Sequence, residues 1–155
     1  MEDKTSVFHQ RCGEILRLVE SIESAIDFFI SNYFVSPQSY KTFLLRDEVI
    51  SRLNFERKIG IFRKICKHEK IDENKLKTIL EAINYVRKVR NKVAHYEAHV
   101  EDPEIGETSL WSTKSIKFRK DSILLTEELV KEIEEKCAFV NREIMNIYLK
   151  LLGKQ

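Results

Sequence analysis

Apolar residues recur along the chain at steps of three and four, the spacing that lines one face of an α-helix. From Phe8 the series Cys12, Ile15, Val19, Ile22, Ile26, Phe29 and Tyr33 runs without a break and predicts a long amphipathic helix over residues 8–33. Leu16, Leu18, Phe28 and Ile30 widen its apolar surface beyond one seam, so the helix is expected to meet two neighbours or a second subunit. Val35-Ser36-Pro37 should end it, because the residue before a proline is pushed out of the helical region. A second helical stretch is expected over residues 43–53. A third opens at Asn54 and runs to residue 67, with Phe55, Ile59, Phe62 and Cys66 facing inward.

A fourth helix has a clear start. Asp72 can cap free backbone N–H groups, and Ile71 can pack on Leu76 as a hydrophobic staple. No Gly or Pro interrupts the chain from there to Tyr96. At about 100° per residue, Leu76, Ile79, Leu80, Ile83, Val86, Val93 and Ala94 share a broad face, with Arg90 near its middle. Residues 97–125 break the helical pattern. Glu101-Asp102-Pro103-Glu104 forms an acidic loop, and Leu110, Ile116 and Phe118 fall in alternating runs around Ser112-Thr113-Lys114, a small hairpin signature. The last helix opens at Thr126, with Leu125 placed to staple on Val130, and buries Ile133, Cys137, Val140, Ile144, Ile147 and Leu151. The expected fold is all-α: one domain over residues 1–155, an antiparallel bundle of four or five helices with room for a short β-hairpin before the last.

Composition adds little to this picture. A length of 155 residues, 43% hydrophobic and 34% charged, suits one domain with a real core. No stretch is apolar enough to span a bilayer, and Met1-Glu2-Asp3-Lys4 lacks the layout of a signal peptide, so the cytoplasm is the expected location and no membrane partner is expected. Cys12, Cys66 and Cys137 are isolated, which argues against a zinc knuckle or a disulfide framework; Cys12 and Cys137 fall on apolar stripes as small core residues.

Charge is more informative. The net is only +2, but residues 57–92 hold twelve Lys or Arg against four acids, and residues 97–135 hold eleven acids against five bases. The basic half includes Arg87, Lys88, Arg90 and Lys92, so a polyanion such as RNA would be drawn to it. The plainer reading is that these are the solvated faces of two helices.

The stretch Val89-Arg90-Asn91-Lys92-Val93-Ala94-His95-Tyr96 places an arginine, an asparagine and a histidine at the end of the fourth helix. Burying an unpaired Arg90 would cost several kcal/mol, roughly the scale of ion desolvation. A structural partner such as Glu20, Glu23 or Asp27 would account for it. Asn91 and His95, four apart, share a side of the helix. Arg90 and His95 diverge by about 140° in a regular helix. They would meet on one ligand through the reach of the arginine, a helix end near His95, or a second copy of the motif.

Arg90-Asn91-Lys92-Val93-Ala94-His95 resembles the Arg, polar residue, several residues, His signature of the HEPN superfamily, the higher eukaryotes and prokaryotes nucleotide-binding domains. Leu53-Asn54-Phe55-Glu56-Arg57-Lys58-Ile59 is similar to the Leu-x-Phe, Lys-Ile helix start of some members. The resemblance implies an antiparallel helical bundle, a homodimer with its Arg-His pairs in a shared cleft, and metal-independent RNA cleavage without a cofactor. It also implies a toxin with a partner antitoxin, or an antiviral effector; other members are non-catalytic binding modules.

The residues suit that chemistry. An unperturbed histidine has a pKa near neutrality, so His95 can activate a ribose 2′-hydroxyl. Arg90 offers a permanent charge and paired hydrogen bonds to a phosphate. Asn91 is placed to orient His95 or meet phosphate, Lys92 adds charge beside the substrate, and Tyr96 can stack on a base. A metal nuclease would need convergent carboxylates and a kinase a glycine-rich loop, and neither pattern is present. The alternative is a dimeric adaptor that binds a protein, a nucleotide or RNA without cutting it.

Overall fold

The computed structural model describes residues 4–35, 39–95, 97–102, 107–111 and 123–153, and within these the side chains of 7–35, 39–94 and 125–153. The architecture is all-α, with five helices packed against each other. They are α1 (Lys4–Phe34), α2 (Tyr40–Leu44), α3 (Phe55–His68), α4 (Glu73–His95) and α5 (Glu127–Leu152). Contacts divide the chain into two compact units, one of residues 1–19 and 83–137 and the other of residues 20–82 and 138–155. No helix of the described residues is long and apolar enough to cross a membrane.

The capping residues act as the sequence predicts. Asn54 Oδ1 accepts from Arg57 N at 2.9 Å, and Asp72 Oδ1 from Lys75 N at 2.8 Å. Thr126 Oγ1 accepts from Leu129 N at 3.2 Å. Each satisfies an N–H group that the first helical turn leaves open. Ile71 and Leu76 are both buried, as a staple requires. Between α3 and α4 the chain turns on Lys70, whose φ of 54° is left-handed. Ile71 N donates to Cys66 O at 2.9 Å and Lys70 N to Lys67 O at 3.1 Å, the two bonds of a Schellman motif.

The second stretch departs from expectation. Ser39 caps a short α2, and residues Leu45–Ile50 then continue as a π-helix rather than a regular one. Ser51 N reaches back to Arg46 O at 2.8 Å, spanning one residue more than an α-helical bond. Periodicity in so short a run does not distinguish the two windings.

In the unit of residues 20–82 and 138–155, Ile22, Ile26, Phe29 and Ile30 are buried along α1. Phe29 meets Phe62 of α3 edge to face at 5.1 Å, and Phe28 meets Tyr148 of α5 at 5.1 Å. Phe28 and Phe29 thus each meet a different neighbouring helix of the chain. Partners advance together along α1 and α5, Ser21 with Asn141 and Phe28 with Tyr148, so these helices run parallel. Lys75 of α4 pairs with Glu143 of α5 in this unit.

Between α4 and α5 the main chain forms a small antiparallel sheet. Strand β1 (Glu97–Asp102) pairs with β2 (Glu107–Trp111), with Glu97 opposite Trp111, and β2 pairs with β3 (Ile123–Leu124). β1 and β2 pair antiparallel within the stretch where the sequence breaks from the helical pattern. Ser112, Thr113, Lys114, Ile116 and Phe118 lie outside the described residues.

Candidate functional site

The motif occupies the last two turns of α4, in the unit of residues 1–19 and 83–137. There the buried line runs through Ile83, Val86, Val89 and Val93. Arg90 is exposed, not buried, and so is Ala94. The physical reason is a change in the buried face. Counting in alternate threes and fours from Leu76 reaches position 90, whereas the packed positions step from Val86 by three to Val89 and then by four to Val93. One valine takes the core place expected of the arginine, and the guanidinium stands in solvent.

That exposure removes any need for a buried counter-ion. Of the carboxylates expected as partners of Arg90, Glu23 and Asp27 are engaged elsewhere. Lys58 of α3, only 2% exposed, donates to Glu23 Oε1 at 2.7 Å and to Asp27 Oδ2 at 2.8 Å. Burial pulls the Lys58 ammonium down, but its two carboxylate partners outweigh that effect and hold it above its ordinary value. Burial pushes the Asp27 carboxyl up, against the lowering effect of Lys58. This inner lysine was overlooked as a core residue, although it falls in step with Phe55 and Phe62 on the inward face of α3.

Arg90 Nη1 lies 3.3 Å from Asn91 Oδ1, and both residues are exposed. The bond leans the guanidinium toward the side of α4 that carries Asn91. Position 95 follows Asn91 by four residues on that side. The helix ends at His95. Lys92 is half-buried, Lys88 exposed and Arg87 half-buried. The His95 side chain and Tyr96 lie outside the described residues.

Tyr85, about one turn before the motif, ties α4 to α5. Its hydroxyl donates to Glu132 Oε2 at 2.9 Å, and Lys136 Nζ sits 4.8 Å from its ring centroid. Burial and that bond both raise the phenol.

The cysteines act as core residues. Burial pushes the Cys66 thiol up to about 12 and the Cys137 thiol up to about 11, and raises that of half-buried Cys12, so none is activated as a nucleophile. Among the described residues, no three His, Cys, Asp or Glu side chains converge as a metal site. Against family models, curated proteins and solved structures, the chain has no match.

Proposed function

We propose that the chain is a metal-independent endoribonuclease of HEPN type, acting as a toxin or an antiviral effector. The reading rests on the motif, and the observation that carries it furthest is the exposed Arg90 bonded to Asn91 at the end of α4. A solvent-facing guanidinium with no counter-ion among the described residues can take a phosphate.

In this mechanism His95 accepts the proton of a ribose 2′-hydroxyl as its oxygen attacks the adjacent phosphorus. Arg90 holds the non-bridging oxygens as negative charge gathers on them. The bond from phosphorus to the 5′-oxygen breaks, the leaving oxygen takes a proton, and a 2′,3′-cyclic phosphate and a 5′-hydroxyl result. Asn91, Lys92 and Tyr96 hold the substrate. Two copies of the motif facing a shared cleft in a homodimer complete the proposal, with an antitoxin protein as a further partner.

Incubating purified protein with RNA in EDTA tests it directly. Persistent cleavage with cyclic phosphate ends supports the reading, and intact RNA rejects it. A second reading, a non-catalytic adaptor, is favoured by the exposed apolar side chains Phe34, Tyr40, Phe43, Leu44 and Val49, which offer a surface for another protein. It predicts protein capture without RNA cleavage.

A further inference from the structure

The outer face of α3 is the strongest unassigned feature. The helix carries five Lys or Arg against one acid, and only Lys58 turns inward. Arg57, Arg63, Lys64 and Lys67 are all exposed. At about 100° per residue they fall within one arc of roughly 120°. Among the described residues, no ion pair engages Arg63, Lys64 or Lys67. The carboxylates nearby in sequence have other partners: Glu48 pairs with Arg52, and Glu69 accepts from Tyr33.

Gly60 lies at the centre of this arc, three residues after Arg57 and three, four and seven before Arg63, Lys64 and Lys67. A glycine inside a helix lowers stability relative to alanine. Packing within the chain gives no reason for that cost, since a Cβ added at Gly60 would meet nothing within 4 Å. The missing side chain leaves bare backbone among Arg57, Arg63, Lys64 and Lys67, with the exposed Glu56 as the one acid on the same arc, and the backbone of a ligand can approach closely there. The arc holds no large apolar side chain between its cations, which a helix lying in a membrane surface would need.

From this arrangement we infer that the outer face of α3 binds the phosphate backbone of RNA, with Gly60 as the point of closest approach and Arg57, Arg63, Lys64 and Lys67 as the phosphate contacts. The choice of RNA as the polyanion rests on the nuclease reading above; the face itself does not. Such contacts carry no base preference, so they set affinity and salt dependence rather than sequence choice.

The test measures binding of a mixed-sequence 2′-O-methyl RNA, which lacks the attacking hydroxyl, across a series of salt concentrations. Replacing Arg63, Lys64 and Lys67 together by glutamine should weaken binding on the order of tenfold or more and flatten the salt slope by about 2, at about 0.7 per lost single-strand contact. Gly60→Glu, which places a carboxylate among the cations, should weaken binding as well. Arg63, Lys64 and Lys67 are exposed, so the triple variant should melt like the parent, and Gly60→Glu, at a half-buried helical glycine with open space for a side chain, should melt no lower. Unchanged affinity and slope in both variants overturns the inference, as does a parent protein that fails to bind the RNA. Anionic vesicle binding that the triple variant loses while RNA binding stays intact also overturns it, in favour of a lipid surface. Cleavage of ordinary RNA by the parent is scored separately: binding that depends on α3 without cleavage keeps this inference and rejects the nuclease, and cleavage with unchanged binding in the variants does the reverse.

Discussion

Lys58 Nζ lies 2.8 Å from Asp27 Oδ2, and the lysine making this bond is 2% exposed. Glu23 takes a second proton of the same ammonium at 2.7 Å, while Asp27 Oδ1 has no partner among the described residues. One ammonium thus serves two carboxylates, and the cluster depends on it. Lys58→Met leaves both acids facing each other without a cation and should destabilise the protein by about 3–5 kcal/mol, the usual cost of breaking a buried pair. Adding Glu23→Gln and Asp27→Asn to Lys58→Met should recover much of that loss in urea unfolding. A Lys58→Met protein as stable as the parent would remove the cluster from the account.

The same lysine sets an alkaline limit. Its folded-state value is raised above the ordinary 10.5, so its contribution is fully present below that value and is lost as pH rises through the folded value. Unfolding free energies at about pH 9 and about pH 11.5 should fall in the parent more than in Lys58→Met. Asp27 works in the same sense on the acid side. Its carboxyl is raised above 3.8, so protonating it as pH falls favours the folded chain, whereas Glu143, lowered chiefly by its bond from Lys75, loses its contribution as pH falls through its depressed value. Glu143→Gln should therefore soften acid unfolding, and Asp27→Asn should not.

Arg90→Ala is a clean test of chemistry because the side chain is exposed. Its unfolding midpoint should match the parent to within about 0.5 kcal/mol, as for most surface substitutions. RNA cleavage should nevertheless fall sharply. Arg90→Lys separates the roles: a paired grip on phosphate predicts a large loss, and simple charge a small one.

His95→Ala should fold and lose cleavage by about 10²–10⁴-fold, the contribution of one positioned acid–base group. An undiminished rate in the folded variant would falsify the assignment of His95 as the base.

Lys70 holds a left-handed φ of 54° at the corner before α4. An L-residue there carries roughly 1–2 kcal/mol of steric cost that glycine avoids, while glycine also loosens the unfolded chain. Lys70→Gly should come out slightly more stable in thermal melts, and a clear loss would mean that the lysine side chain holds the corner.

Much of this was legible in the sequence because it depends on local chemistry. Asn54, Asp72 and Thr126 cap because a short polar side chain beside an apolar run has few other uses. The central residues of α1 and α5 are buried where their period places them. The end of α4 was misread for a geometrical reason. A strict alternation of threes and fours reaches Arg90, but the side chains that pack are Val86, Val89 and Val93, and only tertiary contacts choose between adjacent lines on one helix. Lys58 was missed because a lysine is normally read as outward, and its two acids come from a helix distant in sequence. The π-helical winding of Leu45–Ile50 leaves no periodic trace in six residues.

The packing of α4 separates what the helix needs for folding from what it offers to a ligand. Val89 and Val93 hold it in place, while Arg90 and Asn91 share its open edge. Relatives with this helix and a different pair at the edge should fold alike and recognise something else. A saturation library sorted for soluble expression should accept nearly every residue at 90 and 91, yet only small apolar ones at 89 and 93. Inventive change is inexpensive at one pair of positions and forbidden beside it.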